Sequence, residues 1–572
     1  MTLTSRAFAA MLKIGPPLAT GVVVQQDVPV SAPDGVSLLT DVYLAVPRRP
    51  LPVILLRSPY GRGGAGGLTA RIFAERGYHA VVQSTRGTSG SGGEVDFDKE
   101  ATDGRATADW IVAQDWCDGS IGTFGGSYLT FTQYALASTR PPQLKAMAVG
   151  VWGAERRAPY FYGGSFALGR ALAWPSAVAK REEGGRGASL RSRLRGRIEL
   201  GPALGHLPIR EADTVAYGHP VSFYRDWTDH DAPGDPYWTP TDFRPALRDL
   251  GVPVTMAAGW YDLFLPSMLA DYQALRASGQ QARLRIGAWH HSSPGLFRHG
   301  LQDALDWFGT HLLGSPAGPA ELSTPTPPPA PVRAEVMGGG GWRDLDGWPP
   351  PATVQRWHLQ PGGGLATALP PAGVPDRYTY DPADPTPSVG GTSISGGGPK
   401  DNRALEQRAD VLTYTSEPLT AALEITGPVT ADLHVGSSLP HADFFARLCD
   451  VDPRGRSVNV TDGIVRLAAA TPEPRLARVE LWPTAHRFAA GHRIRLQVSS
   501  GAHPRYARNL GSGEPLATGT ALLAARQAVF HDPARPSGVL LPVDRPHILY
   551  SVSLIIQMSS LPKRLAAGSW PE

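Results

Sequence analysis

Along the first 150 residues, short unbroken apolar runs alternate with stretches whose apolar positions recur every three to four residues. LPVILLRS (51–58) has the continuous pattern of a strand buried on both faces, and YHAVVQS (78–84), IGTFG (121–125) and LKAMAVGV (144–151) repeat it. Between them, 68–76, 99–114 and 128–138 carry helical spacing, the first closed by Gly77. Ahead of them, 21–46 reads as two strands around a Pro-Asp-Gly turn. Such alternation predicts the α/β class, a mainly parallel sheet with helices on both faces.

The pattern breaks near residue 152. Residues 152–245 are rich in Arg and aromatics, helical in places and without a clear strand. Strand and helix signals then resume at 252–260, 265–277, 282–289 and 299–313. The middle block therefore reads as an insertion that caps the sheet's edge. Residues 314–331 are Pro-rich and read as a linker. Beyond it come short strand-like runs separated by Gly, Pro, Asn and Asp, from VRAEVMG to HILYSVSLII, with no long helical pattern. That predicts an all-β sandwich or jelly roll. The expected organisation is a core formed by 1–151 and 246–325, a helical cap at 152–245, and a jelly-roll sandwich at 326–572.

Composition narrows the function. The 572 residues include 65 Gly and 55 Pro, a loop-rich but globular balance. With 54 Lys+Arg against 51 Asp+Glu, a net charge of +3 and no long basic block, nothing favours nucleic acid or an anionic membrane. No apolar run is long enough to span a bilayer. The N-terminal segment lacks a convincing signal-peptide cleavage pattern. Two cysteines, Cys117 and Cys449, make neither a disulfide framework nor a zinc site, so a reducing, cytoplasmic setting is expected.

The strongest chemical signal is Gly125-Gly126-Ser127-Tyr128, where a short apolar strand meets a helix. A nucleophilic serine at such a junction needs small neighbours, because the chain turns sharply to present Oγ at the sheet's C-terminal edge. The first helical amide, that of Tyr128, would face a developing oxyanion. The plain alternative is a Gly-Ser turn capping a helix. Asp262 and His291 each follow a later strand, completing the order Ser–Asp–His. His290 competes for the base role, and an adjacent His pair without a nearby Cys or carboxylate partner gives little support to a metal. Gly61-Arg62-Gly63-Gly64-Ala65-Gly66 matches G-x-G-x-x-G between strand and helix. The next strand ends Val82-Gln83-Ser84-Thr85-Arg86, without an acid for a ribose, so only an NADP reading with Arg86 on the 2′-phosphate survives beside a flexible loop.

These residues together resemble the serine hydrolases of the cocaine esterase type, grouped with X-prolyl dipeptidyl peptidases and α-amino acid ester hydrolases. The resemblance is carried by DGRATADWIVAQDWCDGSIGTFGG before Ser127-Tyr128, Arg57-Ser58-Pro59-Tyr60, Thr85-Arg86-Gly87-Thr88-Ser89-Gly90-Ser91, Gly259-Trp260-Tyr261-Asp262 and Gly287-Ala288-Trp289-His290-His291. In the last domain TYTSEPL (413–419), DFFARLCDV (443–451) and AGHRIRLQVSS (490–500) take part. It implies an α/β-hydrolase core, a helical cap insertion and a C-terminal jelly roll. It further implies Ser127 as nucleophile, His291 as general base, Asp262 as its orienting acid, and Tyr60 with the Tyr128 amide as oxyanion hole. The Gly-rich stretch then simply follows the oxyanion tyrosine. Three positions depart from the family: Thr130 for Gly, Thr85 for Asp, and Ala288 for Pro.

Relatives acting on amino esters or dipeptides hold an ammonium with carboxylates, some close after the catalytic Asp, but here Asp262 precedes Leu263-Phe264-Leu265-Pro266. The expectation is a small-molecule carboxylic ester with an aromatic or bulky acyl group, in a pocket lined by Trp152, Phe264, Trp174 and Phe166. Acyl transfer, or amide or X-prolyl dipeptidyl hydrolysis by the same residues, is the alternative; a binding protein on a dead scaffold is the rival class. No metal or organic cofactor is called for, and the sandwich's strand edges are where a homodimer would form.

Overall fold

A computed structural model of the chain describes residues 2–183, 200–314 and 329–544. The run HILYSVSLII and most of the Pro-rich stretch lie outside the described residues. A helix not foreseen, α1 (Leu3–Met11), opens the chain, its first turn capped by the Thr2 side chain. The hairpin β1 (Gly21–Ser31) and β2 (Ser37–Val46) comes next as expected, then β3 (Leu51–Ser58), α2 (Gly64–Ala74), β4 (His79–Ser84), α3 (Glu100–Val112), β5 (Cys117–Gly126), α4 (Tyr128–Ser138) and β6 (Leu144–Gly150).

The insertion leaves from there. It holds a two-residue hairpin, β7 (Phe161–Tyr162) and β8 (Ser165–Phe166), and helices α5 (Leu168–Glu183), α6 (Ala212–Tyr217), α7 (Ser222–Asp229) and α8 (Arg244–Leu247). The hairpin is the strand pair that the sequence left unread. The chain then returns as β9 (Val254–Gly259), α9 (Leu265–Ala277), β10 (Ala282–Gly287) and α10 (Pro294–Leu312). Helix α10 starts five residues before the periodicity predicts. Its first turn, Pro294-Gly295, looks like a loop in sequence, but Pro at the first helical position has no N–H to lose and a φ already helical.

The sheet runs β1-β2-β4-β3-β5-β6-β9-β10 and then adds β11 (Val332–Val336) and β12 (Gly341–Leu345). From β4 to β11 every neighbour is parallel. The first sheet runs past the boundary expected at 325/326: VRAEVMG pairs with β10, extending that sheet to residue 345. Its own alternation marks it as a strand and says nothing of which sheet receives it. On β3, Ile54 and Leu56 join the core with α2 and α10, whereas Val53 and Leu55 join the residues of α3 and α4. The cap leaves after β6 and returns at β9, which pairs directly with β6, so the insertion rises from the middle of the sheet. Its aromatic interior, including Phe166, Tyr224 and Trp227, is continuous with the core under α4 and α9.

The remaining strands form one twelve-stranded ladder, running from β13 (Ala352–Gln360) to β24 (Gly538–Asp544), in the all-β arrangement expected. Leu359, Phe444, Leu496 and Leu541, from well-separated strands, meet in one buried core. This domain packs on the cap: the Gly163 carbonyl accepts from the Arg466 N–H at 2.7 Å and the Phe166 carbonyl from Ala507 at 2.7 Å. No helix among the described residues is long and apolar enough to cross a membrane.

Candidate active site

Strand β5 ends at Gly126 and α4 begins at Tyr128, leaving Ser127 alone at the corner with φ 60° and ψ −133°. A non-glycine residue there is strained, and such strain persists only where surrounding structure fixes it. The fixing is visible. The Ser127 N–H donates to the Gly150 carbonyl at 2.8 Å, and its own carbonyl accepts from Thr130 N at 2.8 Å. A Cβ on Gly125 would stand 2.5 Å from the Leu129 side chain, so only glycine allows this close turn. Thr130, the departure from the family's glycine, is fully buried and does not crowd the corner. Its hydroxyl accepts from the Gly150 N–H at 2.9 Å and lies 2.9 Å and 2.8 Å from the Gly125 and Gly150 carbonyls. It thus ties the ends of β5 and β6 to the helix that carries the serine.

Asp262 and His291 follow β9 and β10 at the same C-terminal edge of the sheet. Asp262 is completely buried, accepts from the Phe264 N–H at 2.8 Å through Oδ1, and faces His291 Nδ1 at 2.7 Å through Oδ2. His291 lines the same cavity as Ser127. The His290 ring stays local instead, its Nδ1 3.4 Å from the Ser292 hydroxyl. Ala288 explains its own departure: its N–H donates to Glu335 at 2.8 Å, which proline could not do.

Tyr60 follows β3, and its hydroxyl accepts from the Trp174 indole at 3.2 Å. The Tyr128 N–H, at the first helical position, has no acceptor within its helix. The Tyr128 side chain points down, donating to Glu100 at 2.7 Å, and Glu100 pairs with Arg57 at 2.7 Å. Burial pushes the Glu100 carboxyl above its ordinary range, partly offset by Arg57. This buried network was not singled out as functional in the sequence; a lone Arg at the end of an apolar strand is the signal that a partner must exist.

Of the expected pocket residues, Phe264 packs its ring 5.4 Å from that of His291, Trp152 packs 4.3 Å from Phe264, and Trp174 stacks on Tyr128 at 5.7 Å. Phe166 is not with them; it is fully buried inside the cap against Phe161 and Tyr224. Arg170, one turn before Trp174 on α5, was not foreseen. Its guanidinium lies 4.0 Å over Phe264, donates to the Pro159 carbonyl at 2.6 Å, and keeps Nη2 without a hydrogen bond. The open space beside Ser127 lies elsewhere, in a cavity of about 1580 Å³ that also reaches Tyr60, His291 and the Gly61–Gly66 segment at the start of α2. The nucleotide reading loses its cation: Arg86 is held by Asp103 at 3.0 and 2.7 Å and by Asp34 at 2.8 and 3.1 Å.

A strained serine on a strand–helix corner, with an Asp–His pair at the same sheet edge, defines an α/β-hydrolase. Residues 34–293 match the X-Pro dipeptidyl-peptidase (S15) family, and residues 327–540 its C-terminal non-catalytic domain. The chain is 32% identical to a cocaine esterase of Rhodococcus sp., over 91% of this chain and 98% of that one. Among solved structures, an α-amino acid ester hydrolase superposes with a TM-score of 0.76 at 24% identity, covering 93% of this chain and 98% of that one. An aminopeptidase from a Thaumarchaeota archaeon gives 0.76 at 21% identity, over 92% and 97%. The chain belongs to the cocaine esterase/X-Pro dipeptidyl peptidase family, and as such is a serine hydrolase of the ester-cleaving kind.

Proposed function

We propose that the protein hydrolyses carboxylic esters through an acyl-enzyme, with Ser127 as nucleophile, His291 as general base and Asp262 as the carboxylate that orients it. The observation that carries this reading is the 2.7 Å Asp262–His291 contact at the same sheet edge as a serine held at φ 60°. His291 takes the Ser127 proton as Oγ adds to the ester carbonyl, then gives it to the departing alcohol. Water, deprotonated by the same imidazole, releases the acid and restores the serine. The Tyr128 amide and the Tyr60 hydroxyl donate to the oxyanion. Trp174 supports that role by holding the Tyr60 hydroxyl in place, its indole N–H donating to that oxygen at 3.2 Å.

The acyl group favoured is bulky or aromatic and carries no ammonium. What supports this is electrostatic: the side chains after Asp262 are Leu263 and Phe264, and the charge over Phe264 is the Arg170 cation. An α-amino ester or dipeptide would meet repulsion where it needs a carboxylate. Water is the proposed acceptor over another alcohol or amine. The two cysteines are unpaired, which supports a reducing compartment such as the cytoplasm.

The test is intact mass after a fluorophosphonate, with turnover of a short 4-nitrophenyl ester, on wild type and Ser127→Ala. One adduct and turnover in wild type, and neither in the variant, is the expected result. Folded wild type that takes up no phosphonate sinks the reading.

A further inference from the structure

The two groups that would donate to the oxyanion come from separate elements: the Tyr60 hydroxyl from the segment after β3, the Tyr128 N–H from the first turn of α4. Such donors act fully only when their separation is fixed before the charge develops, so the two arms must be held against each other. Glu100, the buried first residue of α3, divides its carboxylate between them. Oε1 accepts from the Tyr128 hydroxyl at 2.7 Å, and Oε2 meets Arg57 Nη1 at 2.7 Å. Arg57 is the last residue but one of β3, three positions before Tyr60, whose N–H donates to Ser58 Oγ at 3.0 Å. Trp174, from the cap helix α5, closes the circuit: it stacks on the Tyr128 ring at 5.7 Å and donates to the Tyr60 hydroxyl at 3.2 Å.

Arg57 is itself fixed. Its Nε donates to Gln83 Oε1 at 2.8 Å, an oxygen that also accepts from Thr107 on α3, and its Nη1 donates to the Glu100 carbonyl at 3.0 Å. A Cβ on Gly104 would stand 3.1 Å from Arg57 Nη1, so glycine lets α3 approach this closely. Stability alone does not call for the pair. Both side chains are only 2% exposed, and a buried ion pair seldom repays its desolvation better than hydrocarbon of the same shape. What a carboxylate adds is direction, two acceptors at a set spacing and angle. We propose that Glu100 is a positioning residue that sets the separation of the Tyr60 and Tyr128 oxyanion donors, and so acts on the rate without touching substrate. The inference rests on the Ser127 mechanism proposed above and adds a residue to it.

The experiment takes the full chain, a short 4-nitrophenyl ester, and an aryl trifluoromethyl ketone whose adduct with the serine carries the oxyanion. Tyr128→Phe releases one arm and keeps the Arg57–Glu100 pair. Glu100→Gln keeps an acceptor for the Tyr128 hydroxyl and loosens the Arg57 arm. Losing a whole donor costs about 10²–10³ in turnover, and a misplaced donor costs less. In each variant kcat should therefore fall about tenfold, with KM within about twofold of wild type. Affinity for the ketone should fall by the same factor as kcat/KM, because the adduct and the transition state use the same donors. Where Glu100→Gln does not fold, Tyr128→Phe, the milder change, carries the test. Folded variants that melt lower yet keep kcat and ketone affinity within about twofold of wild type overturn the proposal, as does a loss confined to KM. Wild type that takes up neither fluorophosphonate nor ketone would instead remove the nucleophile on which it rests.

Discussion

Thr130 shows how one hydroxyl can replace an absence. Where relatives place glycine at the third residue after the serine, this chain buries a side chain whose oxygen satisfies the Gly150 N–H and reaches two strand-end carbonyls. Thr130→Val keeps the shape and removes the oxygen, leaving a buried donor unmet at a cost of about 1–3 kcal/mol. The same loss loosens the corner that holds Ser127. Thermal unfolding should move to lower temperature, and kcat should drop several-fold with KM little changed. Thr130→Ser should restore both; if it restores stability without kcat, the residue is merely structural.

At the scale of elements, the cap is tied to the sheet by Asp271 on α9, which accepts the Ala154 N–H at 2.7 Å where the insertion begins. Burial pushes this carboxyl up to about 8. A raised carboxyl holds a proton in the folded chain that the unfolded chain has released. Stability is therefore full below the unfolded value near 4 and falls as pH rises toward 8. Asp271→Asn, which still accepts from Ala154, should flatten that fall: between pH 6 and 9 its melting temperature should decline less than that of wild type. Parallel curves would mean that the group is ionised in the fold.

Elements were also what the sequence disclosed best. Ser127 stood out because periodicity changes from strand to helix at that residue and two glycines precede it. Asp262 and His291 stood out because each follows a strand. Which sheet receives 332–336 is a matter of pairing with β10, and periodicity does not encode a partner. The cavity beside Ser127 was illegible for the same reason, since its walls come from strands, two helices and loops distant in sequence. Phe166 was misplaced because an aromatic in the insertion looks alike whether it faces a substrate or fills the cap.

For the whole molecule, the decisive surfaces lie between domains. Gly163, at φ 51°, lies so close to the sandwich that a Cβ would be 1.8 Å from the Ile464 carbonyl. Gly163→Ala should cost at least about 2–3 kcal/mol, the sum of backbone strain and a steric clash. Gly218, at φ 77° with nothing near its Cβ, supplies the control: Gly218→Ala should cost only the strain. Equal losses in melting temperature would show that the cap–sandwich contact is not held in solution. The same surfaces reach the loop that carries His291. The His291 backbone N–H donates to the Ser393 carbonyl at 3.4 Å, Ser393 N donates to the Tyr261 carbonyl at 3.2 Å, and Ser292 Oγ donates to the carbonyl of Ile394, 102 positions further on. A nascent chain whose first sheet has just emerged from the ribosome has its serine, its aspartate and its histidine, yet lacks the seat on which that histidine's loop rests. Translation must pass residue 394, and the sandwich must fold against the sheet, before that loop has its seat.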